Sequence, residues 1–285
     1  MSTPIPKSWL EVVALHPDVL AENFSEDIFA LDLGPLSDKL PSVPAVYRDP
    51  EHFFKTSYLT AGLKSLLNDV LLRVSGGEGS RVLKLMTPFG GGKSHTLAAL
   101  WHAAKNRAAL DIMPEAAGLP KPSKPVNVAV FDGAFFDALK GKSAPKSKVH
   151  ANTMWGWLAW SLHGEQGYER FKEHDQKRIA PGGDEILGLL ESGPNLILLD
   201  EVLQYLISVG GLKIEQTTLR DETLTFLQRL TMTVTNTKDT ALVFTLQSRA
   251  SASRSITSIS CRPWIISPLV RTNVASRWRG QKFRA

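Results

Sequence analysis

The sequence predicts an α/β protein: a parallel sheet flanked by helices, preceded by an N-terminal helical extension. Two observations carry this prediction. Short apolar, strand-like runs at residues 82–86, 126–131, 196–199 and 241–246 alternate with segments of helical periodicity. Strands separated by helices form parallel sheets, whose central members are covered on both faces and read as continuous apolar stretches. The composition agrees, because 43% hydrophobic and 21% charged residues over 285 positions can bury the core of one large or two small domains.

In chain order, residues 1–75 read as a mixed, partly helical extension. Scattered prolines and short apolar groups (Trp9, Leu10, Val12 and Val13, then residues 28–33) lead to Asp49-Pro50, a capping residue followed by proline at the first helical position. Leu59, Leu63, Leu66, Leu67, Val70, Leu71 and Val74 then recur at spacings of three and four, one apolar helix face. The loop Gly76-Gly77-Glu78-Gly79-Ser80 closes this segment. Residues 76–248 carry the strand–helix alternation, with helices predicted over 93–105, 155–162, 184–190 and 221–230. Between them, the lysines at 140, 142, 146 and 148 around Pro145 read as a solvated loop. Trp155, Trp157 and Trp160 read as packing residues, since two of them share a helical face.

The net charge of +5 describes one segment only. Residues 249–285 hold eight basic side chains and no acid, so the rest of the chain is slightly acidic. This Ser- and Arg-rich tail has no useful periodicity. It is open to three readings: a basic arm touching phosphates, a packed end of the domain, or an out-of-frame stretch beginning near Ser248. No run approaches the roughly 18 apolar residues of a membrane span, and Lys7 and Glu11 interrupt any secretory core. A single cysteine, Cys261, excludes an internal disulfide and a cysteine-ligated zinc site. The expectation is a soluble, cytoplasmic protein without membrane partners.

The chemistry is concentrated where the first strand meets its helix: Thr87-Pro88-Phe89-Gly90-Gly91-Gly92-Lys93-Ser94. Glycines let backbone N–H groups converge on an anion, and a helix N-terminus behind them favours negative charge. In this reading Gly90, Gly91 and Gly92 cradle phosphates and Lys93 reaches the β- and γ-phosphates. Ser94 supplies a hydroxyl to Mg²⁺, and His95 closes the run. A second signal, Leu196-Ile197-Leu198-Leu199-Asp200-Glu201, is an apolar strand ending in adjacent carboxylates. Asp200 is placed to hold Mg²⁺ and Glu201 to polarise an attacking water, with Lys93 as the other catalytic group. His95 and His102 lack the companions of a metal site.

These motifs resemble the Walker A and Walker B of AAA+ ATPases. Pro88 and Gly90 match that Walker A pattern, while Thr87 stands where it has glycine. More narrowly, several strings resemble a prokaryotic family of large ATPases catalogued as Domain of Unknown Function 499. They are Tyr47-Arg48-Asp49-Pro50 with Phe53-Phe54, Leu59-Thr60-Ala61-Gly62-Leu63, residues 89–95, Thr153-Met154-Trp155-Gly156 with Leu158-Ala159-Trp160, and Leu198-Leu199-Asp200-Glu201. The likeness covers about residues 9–246, the N-terminal part of much longer members. It implies a P-loop NTPase core, with ATP and Mg²⁺ as cofactors. It also implies a polar sensor at Thr245, Gln247 or Ser248, a homo-oligomer, and DNA or DNA-modification proteins as partners, in a setting such as phage defence. An arginine finger and helical lid should follow the core, and Arg249 or Arg254 would be its poorly supported fingers. The alternative is a truncated or degenerate nucleotide-binding fragment that does not hydrolyse ATP.

Overall fold

A computed structural model describes residues 31–87 and 92–247. The leading apolar groups at residues 9–13, Gly90, Gly91 and the basic tail with Ser248, Arg249, Arg254 and Cys261 lie outside the described residues.

Four parallel strands form the centre: β1 (Val82–Thr87), β2 (Asn127–Asp132), β5 (Asn195–Asp200) and β8 (Thr240–Gln247), in the spatial order β1-β8-β5-β2. Two short antiparallel ribbons lie apart from the sheet: β3 (Lys142–Ser143) with β4 (His150–Ala151), and β6 (Lys213–Ile214) with β7 (Thr217–Thr218). Alternate side chains of the sheet enter two apolar layers. Leu83, Leu85, Val128, Val130, Leu196, Leu198, Ala241 and Val243 join one. Val82, Ala129, Phe131, Ile197, Leu199 and Leu242 join the other. Every residue of β5 is buried, as expected of a strand covered on both faces.

The first layer is closed by α1 (Leu33–Ser37), α3 (Pro50–Thr56), α4 (Ala61–Val74) and α5 (Lys93–Lys105), with α2 (Ala45–Arg48) alongside. The Asp49 cap forms as predicted, its Oδ1 accepting the His52 N–H at 2.6 Å. Of the predicted apolar face, Leu63 to Val74 lies on one helix, α4, while Leu59 precedes it. The chain leaves helix at Ser57, and Thr60 caps a new one through the Leu63 N–H at 3.1 Å.

His102 fastens this extension to α5. Its ring is fully buried against Phe53, with centroids 4.8 Å apart, and Nε2 lies 2.7 Å from the Tyr47 carbonyl. A carbonyl only accepts, so Nε2 carries the proton and Nδ1 is left as a bare lone pair in apolar surroundings. Burial pulls the His102 pKa down to about 4.

The second layer contains α6 (Met154–Lys177), α7 (Gly183–Leu190), α8 (Val202–Ser208) and α9 (Leu219–Asn236). Trp155 and Trp157 are buried as expected, and the Trp157 indole N–H donates to the Val130 carbonyl at 2.8 Å. The segment 154–177 is not one straight rod. His163 and Gly164 leave helical geometry, Gly164 with φ +61. A straight helix would separate Thr153 from Asp175 by about 33 Å, yet the Thr153 hydroxyl donates to Asp175 Oδ1 at 2.5 Å. The two halves therefore double back as a helical hairpin. Gly167 sits in the close approach, since a Cβ there would lie 2.1 Å from the Ala159 carbonyl oxygen.

Asp175 is fully buried and accepts from the Asn152 backbone and side-chain amides as well as from Thr153. The Tyr168 hydroxyl lies 3.0 Å from its Oδ2. This hub accounts for the string Thr153-Met154-Trp155-Gly156: Thr153 caps the helix through the Gly156 N–H, and only glycine at 156 leaves room for the carboxylate.

One sequence reading needs correction. Within residues 140–148, Lys140, Lys146 and Lys148 are exposed as expected, but Lys142 is not a solvated side chain. Lys142 pairs with Asp38 at 2.6 Å and lies 4.1 Å over the Trp157 ring, which its long stem reaches from β3.

Two predictions follow from these anchors. Asp175→Ala removes the acceptor for several buried donors and should cost roughly 3–5 kcal/mol, read as a lower urea midpoint at unchanged slope. The His102 site works through the unfolded state. Below its ordinary pKa near 6.5 the unfolded chain takes up a proton that the buried ring refuses. Stability should therefore fall as pH drops from about 6.5 to 4, by up to about 1.4 kcal/mol per unit. Urea titrations of wild type and His102→Gln across that range check this, the variant showing a shallower loss.

Candidate functional site

Parallel strands bring their carboxyl ends to one edge of the sheet, and the polar residues that end these strands meet there. β1 leads into the glycine-rich turn. Gly92, with φ +69, precedes α5 in a conformation that favours glycine, and an added Cβ there would face open space. Lys93 opens the helix, buried and without an ion pair among the described residues.

Ser94 and Asp200 meet although they are 106 residues apart. The Ser94 hydroxyl donates to Asp200 Oδ2 at 3.1 Å. On the other carboxylate oxygen, Asp200 Oδ1 accepts the Thr245 hydroxyl at 2.5 Å and the Glu201 N–H at 3.1 Å. Thr245 belongs to β8, the strand that lies between β1 and β5. Of the residues expected to serve as a polar sensor, Thr245 is the one seen in contact with Asp200. Gln247 ends the same strand two residues further on, and Ser248 lies outside the described residues.

Glu201 follows in the left-handed region at φ 47, uncommon for a residue with a side chain. Its carbonyl accepts from the Gln204 and Tyr205 N–H groups, so the chain turns directly into α8. Gly133 faces this turn, since a Cβ at 133 would sit 2.3 Å from the Glu201 carbonyl oxygen. Local backbone packing thus holds Glu201 in an unusual conformation at the end of a fully buried strand.

His95 faces the N-terminal extension. Its ring stacks on Phe53 at 4.7 Å, and Nε2 lies 3.1 Å from the Ser57 hydroxyl. Burial lowers its pKa from the ordinary histidine value. Its neighbours Phe53 and Ser57 belong to the N-terminal extension. No group of three or more His, Cys, Asp or Glu side chains forms a metal cluster among the described residues.

Sequence reasoning missed Asp132. It ends β2 in register with Asp200 and is buried. Its Oδ2 accepts the Gly34 N–H at 3.0 Å, and its Oδ1 accepts the Ala134 N–H at 3.0 Å. Burial holds its carboxyl above the ordinary range, opposed by those two amides and reinforced by Asp200 and Asp32. Burial, and then the Asp200 charge, raise Asp32 as well. The signal was available: Phe131-Asp132 is an apolar strand ending in a carboxylate, like Leu199-Asp200.

The donor set fits a hard divalent cation better than a soft one, since hydroxyl and carboxylate oxygens converge and no thiol or imidazole joins them. The model of the DUF499 N-terminal domain matches residues 10–258. No curated protein and no solved structure matches the chain. With the match covering most of its length, the chain belongs to the DUF499 N-terminal domain family.

Proposed function

We propose that this chain is a Mg²⁺-ATP-binding P-loop module of AAA+ character that hydrolyses ATP to drive or switch a larger assembly. The observation that carries the reading is the 3.1 Å contact between Ser94 and Asp200. It joins the residue after the lysine of a phosphate-loop-like run to the carboxylate of a Walker B-like strand, from elements far apart in sequence. The strand order supports it. β8 separates the strand entering the glycine turn from the strand ending at Asp200, and it presents Thr245 to that carboxylate, where AAA+ ATPases carry a polar sensor.

Mg²⁺, when bound between Ser94 and Asp200, would offset the charge on the phosphates. The chain's own groups do the rest in this reading. Lys93 supplies a second positive charge to the phosphate oxygens. The left-handed turn at Gly92 lets the backbone approach them closely. Thr245 donates to Asp200 and keeps that carboxylate from rotating. Glu201 accepts hydrogen-bond density from a water aimed at the terminal phosphate. DNA, or proteins that modify it, and further copies of this chain are the partners proposed with this activity.

Lys93→Ala should weaken ATP binding by about tenfold or more, the loss of a charge-assisted contact of roughly 1.5–3 kcal/mol. Calorimetry checks it, and equal affinities in variant and wild type would refute the site. Glu201→Gln should leave that affinity nearly intact while abolishing phosphate release, measured over a single turnover. If wild type binds ATP but releases no phosphate even in a longer chain, the non-hydrolysing reading takes its place.

A further inference from the structure

At the opposite edge of the sheet, where β1 and β8 begin, the chain forms a polar cavity of about 480 Å³ that opens broadly to solvent. A strand of six residues spans about 20 Å, so this cavity is remote from Lys93 and Asp200. Arg73, Arg81 and Lys238 line it, against the single carboxylate of Glu78.

Arg73 is the unusual member. The residue is only 2% exposed, yet it forms no ion pair among the described residues. Its Nε donates to the Thr240 carbonyl at 3.2 Å and its Nη2 to the Thr237 carbonyl. A guanidinium carries five N–H donors in a fixed fork, and Arg73 lines the cavity wall with it. Glu78 and Asp239 attract its charge without forming an ion pair with it among the described residues, so the cost of burying the cation is only partly offset. The C-terminal end of α9 offsets part of that cost, because Arg73 and Arg81 both donate to carbonyls there, Arg81 Nη1 to Thr235 at 2.7 Å.

The wall is also built to hold Arg73 in place. Gly79 lies so close to α4 that a Cβ would fall 2.1 Å from the Asp69 carbonyl oxygen, and the Ser80 hydroxyl donates to the Asp69 carboxylate at 3.2 Å. Asp69 is thereby turned to the loop and makes no pair with Arg73. Arg81 and Lys238 are exposed at the mouth.

We propose that this cavity is an anion site that binds a phosphate group through Arg73, Arg81 and Lys238. Two guanidinium planes and an ammonium suit the tetrahedral oxyanion, which accepts several directed hydrogen bonds at once. A free phosphate or the phosphodiester of a nucleic acid presents the same chemistry.

The test uses the full chain carrying Lys93→Ala, which weakens anion binding at the nucleotide site, titrated calorimetrically with inorganic phosphate at low salt. One saturable site should remain. Arg81→Ala and Lys238→Ala, both at exposed positions, should each weaken it about tenfold. Arg73→Lys keeps the charge but loses the fork and its two backbone bonds. It should weaken binding comparably while also lowering the urea midpoint, which is why the exposed Arg81 and Lys238 variants carry the test. Displacement of the phosphate by a short DNA duplex would assign the ligand to a nucleic-acid backbone, and its retention would assign a free anion. Absence of saturable phosphate binding in the Lys93→Ala chain, or equal affinity in the Arg81→Ala and Lys238→Ala variants, overturns the proposal. Because Lys93 is already removed, failure here leaves the nucleotide reading standing.

Discussion

The Asp200 carboxylate fixes three elements at one point. One oxygen takes the Ser94 hydroxyl from the start of α5, and the other takes Thr245 from β8 and the amide of Glu201 at the turn into α8. Each partner can be satisfied only if the sheet keeps the order β1-β8-β5-β2 and β5 reaches no further than it does. The apolar run before Asp200 ensures this. Residues 196–199 are buried on both faces, and moving the strand by one position would exchange its two apolar layers and drag Asp200 inward.

The N-terminal extension is built onto the same edge from two sides. His95 and His102 hold Phe53 and Tyr47 against α5, while the Gly34 amide is tied to Asp132 at the end of the strand beside Asp200. The helix that begins with Lys93 and the strand that neighbours Asp200 are thus both in contact with a segment that precedes them in sequence. A shift of the extension could not occur without altering the packing next to the site.

Much of this was legible in the sequence, for local reasons. The four sheet strands were found within a residue or two of their ends, because strands covered on both faces are written as unbroken apolar runs. The Asp49-Pro50 start was legible because capping is a property of neighbouring residues. The ribbon at residues 142–151, the 3₁₀ turns between Arg107 and Ala116, and the break at Ser57 were not. The ribbon and the break depend on distant partners: Lys142 is drawn to Asp38 and Trp157, and Ser57 to His95. In the site, Ser94 and Asp200 came from motif chemistry. Asp132 escaped because its partner, the amide of Gly34, is a backbone group that no side-chain pattern announces.

The doubled helix between β4 and α7 has its own consequence. Because Thr153 and Asp175 touch, a module of more than twenty residues departs from the body and returns to it at nearly the same place. Its length is uncoupled from the distance between β2 and β5. Turns added to both arms in step beyond His163 would lengthen the hairpin without moving its base, whereas turns removed would strip Trp155, Trp157 and Leu158 from the layer that covers the sheet. The anchor at Asp175 is what lets a segment of this length cover the sheet and still return the chain beside its starting point.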